Sequence, residues 1–137
     1  MARNKKKKIL VFYYAPLIFW MGLIFYFSSL PGLTQTENPD FWFYFFRKGA
    51  HVVEYFIMVF LFFLVFRFHK LKKKEIFLLS FLFSLAYAFS DEIHQVFIPG
   101  REGKFSDVGV DLIGIILAIL IYNLFRKKSG GKWKYIF

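Results

Sequence analysis

Residues 49–66, GAHVVEYFIMVFLFFLVF, decide how the rest of the chain must be read. Apart from His51 and Glu54 the stretch is almost entirely aromatic or aliphatic. It is too long and too uniformly apolar for a strand, and as a helix it extends for about 27 Å, close to the hydrocarbon thickness of a bilayer. Three further runs of the same kind give spans at about 9–29, 76–95 and 107–125. Composition agrees. Four spans of roughly 20 residues need about 80 apolar positions, and 58% of the 137 residues are hydrophobic. A soluble core of this size could not readily enclose 22 Phe, 8 Tyr and 3 Trp. The expectation is an all-α integral membrane protein: one domain, a compact bundle of four transmembrane helices. The first run exceeds a signal-peptide h-region and lacks a clean cleavage site, so it counts as a span.

Charge gives the orientation. Arg3 and Lys5 to Lys8 precede span one; Arg67, Lys70, Lys72, Lys73 and Lys74 lie between spans two and three; Arg126, Lys127, Lys128, Lys132 and Lys134 follow span four. These are fifteen of the nineteen basic residues. The positive-inside rule therefore puts both termini and the middle loop in the cytoplasm, with basic tails at 1–8 and 126–137. A nucleic-acid binder would gather its charge on one face, so the net charge of +10 is a topology signal and nucleic acid is excluded as a partner. Of the nine acids only Glu75 falls inside; Glu37, Asp40, Glu54, Asp91, Glu92, Glu102, Asp107 and Asp111 lie at or near the outer face. There is no cysteine, hence no disulfide and no thiolate chemistry.

Measured from the basic end of each span at 1.5 Å per residue, Glu54 lies about 18 Å out, Asp111 about 21 Å, and His51 and Asp91 about 22 Å. Three helices thus bring ionisable groups to one level, roughly 8 to 12 Å beneath the outer boundary of the hydrocarbon. Lys48, His51 and Tyr55 stand at i, i+3 and i+7 with Glu54 three beyond His51; Asp91 and Gln95 are i and i+4, with Glu92 one step round. Asp107, Asp111, Gly114 and Ala118 make a seam whose small members admit a close neighbour, either within the chain or from a second copy. A charge facing lipid costs at least about 2.5–3.5 kcal/mol, so these stripes should turn inward onto a polar cavity at the outer-leaflet end. The bland alternative is interhelical glue, worth about 1 kcal/mol per group. His69 is expected to be solvated in the cytoplasmic loop, Glu37 and Asp40 in the first outer loop, and His94 to face away from Asp91. Pro39 before Asp40 fits a helix start, and the aromatic run from Phe41 to Phe46 reads as an interfacial belt or an outward extension of span two.

The residue types suit acid–base chemistry on an anion. His51 can activate a hydroxyl with a carboxylate orienting its ring, and Arg101 suits a phosphate. A His, Glu and Asp set could equally hold a divalent cation, and spacing does not choose between the two.

At these residues the sequence resembles the VanZ family. The likeness runs from Phe27-Ser28-Ser29-Leu30-Pro31-Gly32, through Lys48-Gly49-Ala50-His51-Val52-Val53-Glu54-Tyr55 and Asp91-Glu92-Ile93-His94-Gln95-Val96-Phe97, to Pro99-Gly100-Arg101, Ser106-Asp107-Val108 and Gly114. Asp111 stands where many relatives carry Asn. The resemblance implies a four-helix domain in a bacterial cytoplasmic membrane, whose polar site acts on a lipid phosphate head group, and a link to lowered susceptibility to the glycopeptide teicoplanin. On that reading His51, Glu54, Asp91, Glu92 and Asp107 are the catalytic group. His51 serves as general base or nucleophile, Glu54 orients it or handles a proton, and Asp91, Glu92 and Asp107 position the incoming hydroxyl or a divalent cation. Lys48, Tyr55, Gln95, Arg101 and Asp111 form the binding group, with Lys48 and Arg101 on the phosphate. The partner is then a membrane lipid or lipid-linked cell-wall precursor. A non-catalytic binder of lipid, precursor or antibiotic is the rival; an exporter is weaker, because span one holds no acid.

Overall fold

The computed structural model describes residues 2–31, 41–101 and 103–128, with backbone alone for 2–10, 43 and 126–128. Expectations for Pro39, for Glu37, Asp40 and Glu102, and for the side chains of the terminal basic clusters fall outside the described residues. Four helices are present: α1 (Ala2–Ser29), α2 (Phe41–Phe68), α3 (Lys73–Val96) and α4 (Phe105–Lys128). Each is long and apolar enough to cross a membrane, over Val11–Ser29, Tyr44–Phe68, Lys73–Val96 and Phe105–Phe125. This is a multi-pass membrane protein.

Two helices begin earlier than hydropathy suggests. The α1 helix takes in the basic cluster, because Lys and Arg are good helix formers. The α2 helix starts at Phe41, since Arg47 and Lys48 interrupt the apolar run without interrupting the helix. Its end is set by Lys70, whose φ of 56° turns the chain out of the helix, and by the Lys70 N–H donating to the Arg67 carbonyl (2.8 Å). Glu75 then reaches back to the Lys72 N–H (2.7 Å), caps α3 and completes a short turn.

Cross-helix contacts fix the directions. Gly114 lies against the Val52 backbone, and Phe63 packs on Tyr122 (4.9 Å between centroids), so α2 and α4 run parallel. Phe62 meets Phe83 while Tyr55 meets Tyr87, so α3 is antiparallel to α2. The Trp20 indole donates to the Glu54 carbonyl (2.9 Å) while Tyr13 stacks on Phe68, so α1 is antiparallel to α2, and the Tyr87 hydroxyl on the Met21 carbonyl (2.7 Å) lays α1 alongside α3. The α2 helix is central. Met58, Val59, Phe62 and Phe63 are buried among Ala88, Ile115 and Ala118, while among the described residues α1 adds Leu17 and Ile24 as buried members and packs Trp20 and Met21 against them. A Cβ on Gly114 would lie 2.2 Å from the Val52 carbonyl oxygen, so the small-residue seam is filled by α2 of the same chain.

Candidate functional site

The α3–α4 connection shapes the site. Ile98, Pro99, Gly100 and Arg101 form a turn closed by the Arg101 N–H on the Ile98 carbonyl (3.1 Å). Proline at its second position and Gly100 at φ 75° are the type II pattern, and the positive φ explains the glycine. The turn sends Arg101 back over the end of the bundle where α1 and α3 finish and α2 and α4 begin. There its Nε donates to the Leu30 carbonyl (2.9 Å), Nη2 to the Phe27 carbonyl (2.7 Å) and Nη1 to Gln95 Oε1 (3.3 Å). A guanidinium on the final carbonyls of α1 also complements the negative end of that helix dipole. Burial lowers the Arg101 pKa from its ordinary value, repulsion from Arg47 adds to that, and Asp91, Glu92 and Glu54 oppose it. The side chain keeps its charge at any physiological pH.

Beneath Arg101 lies a cavity of about 350 Å³, with Arg47, His51, Glu54, Asp91 and Arg101 as its charged or titratable lining and Ile24, Phe27 and Leu30 as an apolar wall from α1. His51 Nδ1 donates to Asp111 Oδ1 at 3.0 Å, and Asp111 is fully buried. With Nδ1 carrying the hydrogen, Nε2 is left as the acceptor. Gln95 donates to Asp91 Oδ2 (2.9 Å), so Asp91, Gln95 and Arg101 make one chain of hydrogen bonds. Asp91 Oδ1, Asp111 Oδ2, Ser28 Oγ and the Tyr55 hydroxyl are buried with no hydrogen-bond partner among the described residues.

The expected site residues do not all meet. Asp111 bonds His51, while Glu54, expected to orient His51 or handle a proton, lines the cavity. Lys48 is exposed and does not line the cavity; Arg47, one residue earlier, does. Tyr55 is fully buried in the core next to Tyr87. Glu92 accepts the Lys104 N–H (2.9 Å) and fastens the α3–α4 connection, while Asp107 pairs with Arg47 at 3.7 Å. His94 faces α1, donating to the Ser29 hydroxyl (3.0 Å) and stacking on Phe25. His69 is exposed as expected, but it also bonds the Tyr14 hydroxyl. Among the described residues no three His, Asp or Glu side chains converge closely enough to hold a metal ion. Sequence reasoning passed over Arg47 and Ser28. The stripe Arg47, His51, Glu54 (i, i+4, i+7) was available for the first; for the second, the signal was its place in the Phe27-to-Gly32 stretch that carries the family likeness.

The VanZ/LLP1 family profile matches residues 12–126, a segment that contains every residue of this cavity. The chain belongs to the VanZ/LLP1 family. No curated protein and no solved structure matches it significantly. For this VanZ/LLP1 protein the matched segment begins within α1 and ends within α4, so all four helices fall in the shared region.

Proposed function

We propose that this protein is a membrane-embedded enzyme that hydrolyses or exchanges the phosphate-linked head group of a phospholipid or polyprenol lipid. On this reading it works at the outer leaflet of a bacterial cytoplasmic membrane, with both termini inside. The observation that supports it best is the His51–Asp111 pair, held at 3.0 Å beside a cavity that also contains Glu54, Asp91 and Arg101. The distribution of basic residues favours an outward-facing cavity.

His51 Nε2 takes the proton of a water or alcohol as its oxygen attacks phosphorus. The phosphorus–oxygen bond to the departing head group breaks, and the same proton passes to the leaving alkoxide. Asp111 holds the ring and stabilises the imidazolium that forms. When the nucleophile is water, its second hydrogen is donated to Asp91 Oδ1 or to Glu54; an alcohol gives its single hydrogen to His51. Of the five N–H donors of a guanidinium, Arg101 engages three among the described residues, and on this reading the other two meet the phosphate oxygens. Altered surface head groups would connect this activity to the teicoplanin phenotype for which the family is named.

One observation favours the rival reading, a non-catalytic binder of lipid, precursor or antibiotic: most of Arg101 is engaged in tying α1 to α3, as a structural arginine would be. Mass spectrometry of proteoliposomes containing phospholipids, polyprenyl phosphates and a soluble alcohol separates the two. New head-group products from wild type, absent from His51→Ala and Glu54→Gln, support the enzyme. An unchanged lipid inventory, with all three proteins folded, supports the binder; a parallel sample with chelator tests for a divalent cation.

A further inference from the structure

The same cavity contains a second guanidinium with no assigned role. Arg47 lines it from α2, as Arg101 does from the α3–α4 turn, and the two are close enough for their charges to repel. Its only ion pair among the described residues is with Asp107 at 3.7 Å, well beyond the 2.7–2.9 Å of a strong charge-assisted hydrogen bond. Its side chain is 35% exposed, so the guanidinium can turn without losing a strong partner. Two arginines facing one space repel each other, an arrangement that an anion between them relieves.

We infer that Arg47 and Arg101 together cradle a lipid phosphodiester bearing a single negative charge, whose hydrocarbon chain leaves along the α1 wall of the cavity. This rests on the head-group reading above and deepens it by naming the substrate class. Formal charge selects the monoanion. The wall carries Arg47 and Arg101 against Glu54 and Asp91, which cancel when His51 is neutral. A doubly charged phosphomonoester gains twice the attraction but suffers twice the repulsion from those carboxylates and from buried Asp111. The Born cost of removing an ion from water rises with the square of its charge, roughly fourfold for a dianion. The apolar wall selects a lipid over a free head group. Phe27 and Leu30 line the cavity and are 48% and 40% exposed, so an acyl or prenyl chain leaving along this wall meets apolar side chains.

The test measures binding by the full chain in nanodiscs. The probes are fluorescent phosphatidylglycerol (diester, one charge), fluorescent phosphatidic acid (monoester, close to two charges at pH 8) and chain-free glycerophosphoglycerol. Phosphatidylglycerol should bind most tightly and the chain-free diester least. Arg47→Gln should weaken phosphatidylglycerol binding about tenfold or more, the effect of losing one hydrogen bond between charged groups. Lys74→Gln, an exposed charge at the opposite end, should leave it unchanged. Asp107→Asn, which releases Arg47, should strengthen it, an effect that misfolding cannot imitate. Phosphatidic acid binding as tightly as phosphatidylglycerol, or a folded Arg47→Gln protein with wild-type affinity, would overturn the inference and leave the head-group reading standing. Failure of wild type to bind any anionic lipid would overturn both.

Discussion

The two ends of the bundle are held together by different forces. Away from the cavity the contacts are aromatic: Phe63 packs between Phe77 and Tyr122 at 5.3 and 4.9 Å, and Phe62 stacks on Phe66 while both meet Phe83. At the cavity end, cross-helix contacts are largely polar: His51 with Asp111, Arg47 with Asp107, and Arg101 with Gln95 and the last carbonyls of α1. Inside a bilayer, close packing stabilises a helix pair, whereas an interhelical hydrogen bond contributes only about 0.6 kcal/mol on average. The aromatic end can therefore hold the fold, and on the proposed reading the polar end serves chemistry.

That division can be broken or sharpened by mutation. The largest effect belongs to Gly114, where the two ends meet. Gly114→Val would drive its side chain into the Val52 backbone, which has no room to give, and no folded protein should be recovered by size-exclusion chromatography. Next comes Phe63→Ala, which removes a ring that is 5% exposed; reversible unfolding in mixed micelles should show a loss of about 3 kcal/mol, with head-group conversion intact in the folded fraction. Asp111→Asn keeps an oxygen to accept from His51 but loses the charge that stabilises the imidazolium. Conversion should fall about tenfold, equivalent to about 1.4 kcal/mol of barrier, with little change in stability. The smallest effect is expected from Ser29→Ala, which removes the link to His94 and should cost about 0.6 kcal/mol in the same unfolding assay.

Much of this was legible in the sequence, for reasons specific to membranes. The hydrocarbon thickness sets span length, so four helices followed from apolar runs alone. The cost of exposing charge to lipid turned His51, Glu54, Asp91 and Asp111 inward, and spacing put Gly114 and Ala118 on the same seam as Asp111. What stayed hidden was rotation. Lys48, His51, Tyr55 and Arg47, His51, Glu54 are equally good stripes on a helix, differing by about one residue's turn. Only the packing of α2 against α1 and α4 selects the second and places Arg47 in the cavity. Nor could spacing show that Asp111 rather than Glu54 meets His51, because that contact joins two helices sixty residues apart in sequence. The early start of α2 was legible only as one of two readings of Phe41 to Phe46, an outward extension of span two or an interfacial belt, because hydropathy falls at Arg47 and Lys48 while helix propensity does not.

The most direct test of this account is His51→Gln in proteoliposomes, with unfolding free energy and head-group conversion measured on the same preparation. Glutamine keeps a hydrogen-bond donor for Asp111 but cannot take up a proton. A stability within about 1 kcal/mol of wild type, with conversion reduced about a hundredfold or more, is the predicted result. Wild-type conversion by the folded variant, or a large loss of stability, would contradict the claim that the polar end exists for chemistry.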